Sequence, residues 1–195
     1  MRTAARATWL APRSALRAGR PARVLLLALI ASACRLPYVP PFTDPPPSAL
    51  AHLVDSSGRV VGQAVLLQKG KNVRILLDVT GIGAGIKGVH IHDVGQCDPP
   101  SFESAGGHFN PTKAEHGSLN SRGPHAGDLP SIVVDGTGRG HLEVTAHVTL
   151  EKGKNSLFDK NGSALVIHAD PDDQRTDPDG KSGGRIACGV IVHGG

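Results

Sequence analysis

Histidine is concentrated in one stretch of this chain, between Gly88 and Asp128. Five of its ten histidines lie there, and a sixth, His168, follows the apolar run Ala164–Ile167. Imidazole nitrogens bind zinc and copper, and a carboxylate can complete a zinc site. The six clustered histidines therefore predict a metal centre. Isolated histidines more often lie at the surface or pack against neighbours, and we interpret four in that way: His52, His141, His147 and His193.

The spacing of these donors predicts two kinds of metal site. His90 and His92 stand two residues apart on a predicted β-strand, so both side chains project from the same face and can reach one ion. The remaining clustered donors lie along a predicted loop: His108, His116, His125 and Asp128. Three histidines with one aspartate suit tetrahedral zinc, whereas histidines alone on rigid strands also suit copper.

The elements that must position these side chains are short strands. Apolar or alternating segments are separated by glycine-containing turns, and 25 glycines with 15 prolines favour strands over a helical bundle. Eight strands are predicted, at residues 49–54, 60–67, 73–79, 87–92, 132–134, 142–150, 164–167 and 186–192. They imply an all-β antiparallel barrel or sandwich. Two connections, Asp93–Pro130 and Ala169–Gly184, are too long for turns, and such loops are usually functional.

The N-terminus has the composition of an export signal, predicted over residues 1–33. Residues 1–23 contain six arginines and no acidic residue, and Val24–Ile30 is far shorter than the roughly 20 residues that cross a bilayer. Small residues then precede Cys34, as in a bacterial lipoprotein signal. Lipidation of Cys34 would attach the protein to a membrane, although Ala31 stands where that pattern usually has Leu, and ordinary cleavage is the alternative. Either reading places the protein in the periplasm or cell envelope.

Removing the signal changes the charge of the protein. The whole chain has a formal net charge of +4, and without the six arginines the remainder carries −2. Nucleic-acid binding therefore loses its main support. Residues 34–47 are rich in proline and predict a semi-rigid tether, or alternatively a disordered tail. The folded domain is predicted over residues 48–195.

Three cysteines are an odd number for an exported protein. If Cys34 is lipidated, Cys97 and Cys188 remain as a pair, and an oxidising compartment favours a disulfide between them. Two buried thiols are the alternative. A bridge over so long a loop would stabilise the fold by about 4 to 5 kcal/mol in the chain-entropy model.

Four motifs, in this order along the chain, resemble the signatures of copper/zinc superoxide dismutases. They are Gly88–His92, Gly107–Pro111, His125–Leu129 and Gly184–Ile191. The resemblance covers about residues 48–192. It implies an eight-stranded Greek-key β-barrel, an architecture related to the immunoglobulin-like sandwich, with two long functional loops.

The resemblance also implies one copper and one zinc per subunit. Its copper ligands would be His90, His92, His108 and His168. Its zinc ligands would be His108, His116, His125 and Asp128. His108 would thus be shared, since an imidazole with both ring protons removed can bind a metal at each nitrogen.

Two further roles follow from the resemblance. Asp172 would hydrogen-bond a copper histidine and a zinc histidine, His90 and His116, with Asp170 and Asp173 as nearby alternatives. Arg185, three residues before Cys188, would attract the superoxide anion, with a surface ion pair as the alternative. Copper would be alternately reduced and reoxidised as two superoxide radicals become dioxygen and hydrogen peroxide, with His108 supplying part of the protons.

The loop Ala169–Gly184 departs from the family. It holds five aspartates against Arg175 and Lys181, and the place of the family's steering lysine falls near Pro178. We therefore expect attraction of superoxide to depend mainly on Arg185. A metal-buffering module and a structural zinc-stabilised β-domain are the rival functions. A homodimer is possible, since the family includes monomers and dimers.

Overall fold

A computed structural model describes Ser48–Gly194 of this chain, so the predicted signal and tether fall outside the described residues. This part contains ten strands and one short 3-10 helix, Glu103–Ala105. The strands are β1 (Ser48–Asp55), β2 (Val60–Lys69), β3 (Asn72–Val79), β4 (Gly85–Lys87), β5 (Val89–His92), β6 (Ile132–Val134), β7 (Gly140–Ala146), β8 (Ala164–His168), β9 (Arg185–Val190) and β10 (Val192–His193). Between residues 48 and 194, nothing helical has the length and apolar character that a membrane span requires.

All ten strands belong to one antiparallel sheet. Its order is β4-β6-β7-β3-β2-β1-β9-β8-β5, with β10 paired to β1. The two end strands, β4 and β5, follow one another in the chain with only Gly88 between them, so the sheet curves into a nearly closed barrel. The predicted all-β Greek-key barrel is confirmed. The count rises from eight to ten because two predicted strands are each interrupted.

Alternating side chains of the central strands fill the barrel. On β1 the residues Ala49, Ala51 and Leu53 are fully buried, and on β3 the same is true of Val73, Ile75 and Leu77. Alternate residues of a strand share a face, so each strand gives one face to the core. By contrast β5 and β8 are buried on both faces. Their second face carries the histidines.

Three predicted strands have different limits in the structure. The strand predicted at 87–92 divides at Gly88, because β4 pairs with β6 whereas β5 pairs with β8. The strand predicted at 142–150 ends at Ala146. After it, the backbone N–H of Leu150 donates to the Gln68 side chain (2.6 Å) instead of to a strand. The strand predicted at 186–192 divides because β9 pairs with β8 and β10 with β1.

The two long connections are present and one is covalently tied to the barrel. Cys97, in the connection after β5, forms a disulfide with Cys188 of β9, with Cα atoms 5.6 Å apart. The predicted bridge is confirmed. Phe102 and Ala105 of the same connection pack with Ala164, Val166 and Cys188 in a small buried cluster. This loop is therefore fixed to the two strands that carry His168 and Arg185.

Candidate metal centre

Four imidazoles meet on the outer face of β5 and β8. His90 and His92 project from β5, His168 ends β8, and His108 is joined to His92 by an isolated antiparallel bridge. One ring nitrogen from each lies within 4.8 Å of the others. The Nε2 atoms of His92 and His168 are 3.4 Å apart. We call these four residues the strand cluster.

A second group of donors surrounds one carboxylate oxygen. The Oδ1 atom of Asp128 lies 2.9 Å from His108 Nδ1, 3.1 Å from His116 Nδ1 and 3.2 Å from His125 Nδ1. Its other oxygen, Oδ2, accepts the backbone N–H groups of Gly117 and His125, both at 2.9 Å. Three Nδ1 atoms therefore converge where one carboxylate is already held in place. We call these four residues the loop cluster.

His108 belongs to both clusters through different atoms. Its Nδ1 faces Asp128, while its Nε2 is buried and has no hydrogen-bond partner. Its ring lies against that of His90, with centroids 3.9 Å apart. This closeness also brings a His90 nitrogen within 4.8 Å of donors from His108, His116 and Asp128. The two clusters therefore adjoin through a single ring.

The unpartnered nitrogens test whether metals fit this centre. Two buried imidazole atoms have no partner in the protein, His90 Nδ1 and His108 Nε2, whereas His116 Nδ1 lies 3.1 Å from Asp128 Oδ1. A buried polar atom without a partner costs roughly 1 to 3 kcal/mol. His90 and His108 also belong to both groups of donors whose ligand atoms lie within 4.8 Å of one another, as the ligands of a metal ion do. Four imidazoles fit copper, and three imidazoles with one carboxylate fit zinc.

Asp172 links the two clusters from behind. Its Oδ2 is 2.8 Å from His90 Nε2 and its Oδ1 is 3.0 Å from His116 Nε2, and its side chain is fully buried. Because it occupies the outer nitrogen of each ring, it leaves the Nδ1 atoms of both facing inward. Asp170 and Asp173, the alternatives in sequence, do not make these contacts; Asp173 instead accepts backbone N–H groups of Arg175 and Thr176.

Three histidines of the strand cluster differ in protonation from His116 of the loop cluster. Burial lowers the pKa of His90 to about 3, of His92 to about 2 and of His168 to about 4. Burial acts in the same direction on His116, but hydrogen bonds with Asp128 and Asp172 outweigh it and raise its pKa to about 10. Burial raises the pKa of Asp128 and Asp172, whereas hydrogen bonds from the imidazoles lower it, with a net lowering for both. The strand histidines are therefore neutral at pH 7, as metal ligands must be.

Arg185 is fixed beside the strand cluster by main-chain carbonyls. Its Nη1 donates to Phe102 O (2.6 Å) and its Nη2 to Gly106 O (2.7 Å). The Gly106 carbonyl also accepts from His92 Nδ1 at 3.0 Å, and Arg185 pairs with His168 across β8 and β9. No sequence signal pointed to the two carbonyls, because any residue type can supply one.

The four histidines outside the clusters have other surroundings. His141 pairs with Asp78 (2.7 Å), His147 contacts Asn72, and His193 stacks on Phe158 with ring centroids 3.6 Å apart. His52 is exposed on β1. Sequence reasoning missed Gln174, whose side chain contacts Asp172. A glutamine in an acidic loop carries no signal for that role.

Comparison with known proteins identifies several relatives. The family model for copper/zinc superoxide dismutase (SODC) matches residues 60–191. Superoxide dismutase [Cu-Zn] 1 of Aquifex aeolicus is 49% identical over 144 residues, which are 72% of this chain and 85% of the relative. Superoxide dismutase-like protein YojM of Bacillus subtilis is 41% identical over 153 residues, covering 74% and 78% respectively. The crystal structure of a SOD-like protein from Bacillus subtilis superimposes with a TM-score of 0.70 at 36% identity, covering 73% of this chain and 97% of that one.

Proposed function

The chain belongs to the copper/zinc superoxide dismutase family, and we propose that its two histidine clusters hold the copper and the zinc. The protein is an oxidoreductase that converts two superoxide radicals to dioxygen and hydrogen peroxide, with copper and zinc as cofactors. The observation that carries the residue assignment is His108, which belongs to both donor groups: its Nδ1 contacts Asp128, and its buried Nε2 has no partner in the protein.

In this proposal the strand cluster holds copper and the loop cluster holds zinc. Copper would be bound by His90, His92, His108 and His168. Zinc would be bound by His108, His116, His125 and Asp128. Bound copper supplies one-electron redox chemistry, and bound zinc supplies positive charge without changing its redox state. The lowered pKa values of His90, His92 and His168 support the copper assignment, since a neutral imidazole can bind a metal. Zinc would have to displace the proton that Asp128 and Asp172 stabilise on His116.

Each of three further residues has its own part in the proposed reaction. The Arg185 guanidinium attracts and orients superoxide, and its two carbonyl contacts keep it from turning away. His108, also a proposed ligand, can hold a proton for the product on its buried Nε2 only while that atom is not bound to copper. Asp172 holds His90 and His116 by their outer nitrogens, which fixes the ring orientations.

Metal analysis paired with a turnover assay tests this assignment. The purified domain 48–195 should bind one copper and one zinc and consume superoxide. In His90→Ala, copper content and activity should be lost while most zinc is retained. His52→Ala, on the exposed face of β1, is the control and should match the wild type. Full copper content and activity in His90→Ala would contradict the assignment of His90 to copper. Zinc binding without copper or turnover in the wild type would favour a structural zinc domain, and copper binding without turnover would favour a metal-buffering module.

We also propose that residues 1–33 export the protein to the periplasm or cell envelope and that Cys34 is lipidated, with residues 34–47 as the tether. The support is the composition of the N-terminus and the fact that Cys97 and Cys188 are already paired with each other. Cys34→Ser should move the protein from the membrane fraction to the soluble periplasmic fraction. Mass spectrometry of the mature N-terminus should show a lipidated cysteine, and an unmodified one would contradict the proposal.

A homodimer is a further proposal. Ile86 of β4 and Val133 of β6 are cross-strand partners that are 49% and 66% exposed, and burying such an apolar pair against a second copy would be favourable. Sedimentation of the purified domain should give twice the monomer mass, and Val133→Lys should reduce it to the monomer. Monomeric wild-type protein at micromolar concentration would exclude this proposal.

A further inference from the structure

Asp172 has every acceptor position filled. Its Oδ2 contacts His90 Nε2 (2.8 Å) and accepts a hydrogen bond from Gln174 Nε2 (2.6 Å). Its Oδ1 contacts His116 Nε2 (3.0 Å) and accepts a hydrogen bond from the Gln174 main-chain N–H (2.6 Å). A carboxylate offers about four acceptor sites. Each oxygen therefore has one imidazole and one donor from Gln174.

Gln174 is itself held from the opposite side. Its Oε1 accepts from Ser118 Oγ (2.9 Å), and its main-chain carbonyl accepts from the Leu119 N–H (2.9 Å). The backbone N–H of Ser118 also points to Oε1, at 3.4 Å. An amide that receives hydrogen bonds at its oxygen must present its NH₂ group to Asp172. The orientation of the Gln174 side chain is therefore determined by its partners.

Two glycines show that the segments around the contact between Gln174 and Asp172 are closely packed. Gly117 follows the loop-cluster histidine His116, and a Cβ there would overlap the main-chain carbonyl of Gln174. A Cβ at Gly180 would overlap Asp172 Oδ1. Both glycines have positive φ, 97° and 65°, so another residue would also be strained. The segment that contains Asp172 and Gln174 is thus packed directly against the segment that contains His116.

We propose that Gln174 is a positioning residue that couples the two metal-binding clusters. By donating one hydrogen bond to each Asp172 oxygen, it fixes the plane of the carboxylate, and the carboxylate then aims His90 and His116 at their metals. Through Ser118 and Leu119 the same residue ties this carboxylate to the loop cluster. Zinc binding, which orders that loop, would thereby also order a copper ligand. The inference rests on the proposed metal roles of His90 and His116.

Gln174→Met tests the inference, because methionine has nearly the same length but its side chain cannot donate to Asp172 Oδ2. The main-chain N–H of residue 174 still donates to Oδ1. We expect zinc to transfer to a chelator up to about 10-fold faster. Removing a direct partner of a metal ligand costs about 10- to 100-fold in metal affinity, and Gln174 acts one contact further away, through Asp172. With copper and zinc bound, the Cu(II) electron paramagnetic resonance spectrum should change, because the Asp172 carboxylate that orients His90 loses one of its hydrogen bonds. Gln63→Met, exposed on β2, is the matched control and should leave both measurements unchanged.

Ser118→Ala is a milder second variant. It leaves Gln174 in place but removes the hydroxyl that orients its amide, so zinc transfer should accelerate in the same direction by a smaller factor. Thermal unfolding of the metal-free variants reports loss of folding separately from loss of positioning. Wild-type zinc transfer and an unchanged copper spectrum in Gln174→Met would overturn the inference. Wild-type protein that failed to bind both metals would instead overturn the proposed function.

Discussion

The two clusters of the metal centre are built in different ways. The strand cluster takes His90, His92 and His168 from β5 and β8, whose residues are buried on both faces and paired along their length. All four donors of the loop cluster lie in the connection between β5 and β6, whose only regular element is one short 3-10 helix. Strand pairing and packing hold the first set of side chains. The second set is held by hydrogen bonds to carboxylates, and above all to Asp128.

This difference shows what sets the protonation of the histidines in each cluster. Burial in the barrel lowers the pKa values of His90, His92 and His168, so these three imidazoles are neutral at pH 7. His116 has a raised pKa because Asp128 and Asp172 hydrogen-bond it and outweigh its burial. We therefore expect a change in the loop cluster to weaken copper binding less than zinc binding.

Removing the Asp128 carboxylate should have the largest effect. Asp128→Ala deletes the atom on which three imidazoles converge and the acceptor of two backbone N–H groups. Zinc affinity should fall by more than about 100-fold, beyond the loss typical of a residue that only supports a ligand. Copper affinity should fall by less than about 10-fold. Chelator competition measures both affinities, and Asp159→Ala at an exposed position is the control.

Amide hydrogen exchange would show whether the damage stays local. In Asp128→Ala, protection should be lost between residues 116 and 128 and retained in β5 and β8, whose N–H groups are in the sheet. Equal loss of protection in both regions would mean that the strand cluster is not independently held.

The sequence predicted the strand cluster more fully than the contacts that organise it. His90 and His92 could be placed on one face because strand periodicity is regular, and His168 because it follows a buried apolar run. The ordering of the motifs then indicated the remaining donors. In contrast, the contact of Gln174 with Asp172 and the contacts of two loop carbonyls with Arg185 depend on loop conformation. Loop conformation leaves no periodic pattern in the sequence. The break at Gly88 was missed for a related reason, since it depends on which strands become neighbours.

The pH dependence of the metal-free protein should separate the two clusters again. His90, His92 and His168 have folded-state pKa values of about 3, 2 and 4, below the ordinary 6.5. Their contribution to stability is complete above pH 6.5 and is lost as the pH falls, because only the unfolded chain binds the protons. His116 has the opposite sign. Its pKa of about 10 stabilises the fold below pH 6.5, and that contribution is lost as the pH rises to 10.

Melting temperatures of the chelator-treated protein should therefore be highest near pH 6.5. Between pH 6.5 and 4.5 the temperature should fall by at least about 5 °C. His92→Gln should reduce this acid decline, and His116→Gln should reduce the decline above pH 6.5. If His116→Gln instead reduced the fall in melting temperature below pH 6.5, the assignment of the acid and alkaline declines to the two clusters would be wrong.

The smallest expected effect concerns attraction of superoxide. Arg185 on a strand attracts the anion, whereas the acidic loop after β8 repels it. Arg185 on β9 is held by two carbonyls, while the loop Ala169–Gly184 has three more acidic than basic side chains. Arg185→Gln should lower kcat/KM by about 10-fold, within the range of electrostatic steering. Lys181→Gln, which removes a cation from the exposed loop near Asp173, is the matched control and should change it by less than about 2-fold.

The dependence of turnover on ionic strength tests the balance between attraction by Arg185 and repulsion by the acidic loop in the unmodified protein. Salt screens exposed charges over about 10 Å at 0.1 M, so it weakens the repulsion from the acidic loop as well as the attraction by Arg185. The two changes oppose each other. Superoxide turnover by the copper- and zinc-loaded domain should therefore vary by less than about 3-fold between 0.02 and 0.2 M salt. A steep fall in the rate over this range would show that a broader positive field, and not the single strand arginine, draws the anion to the copper.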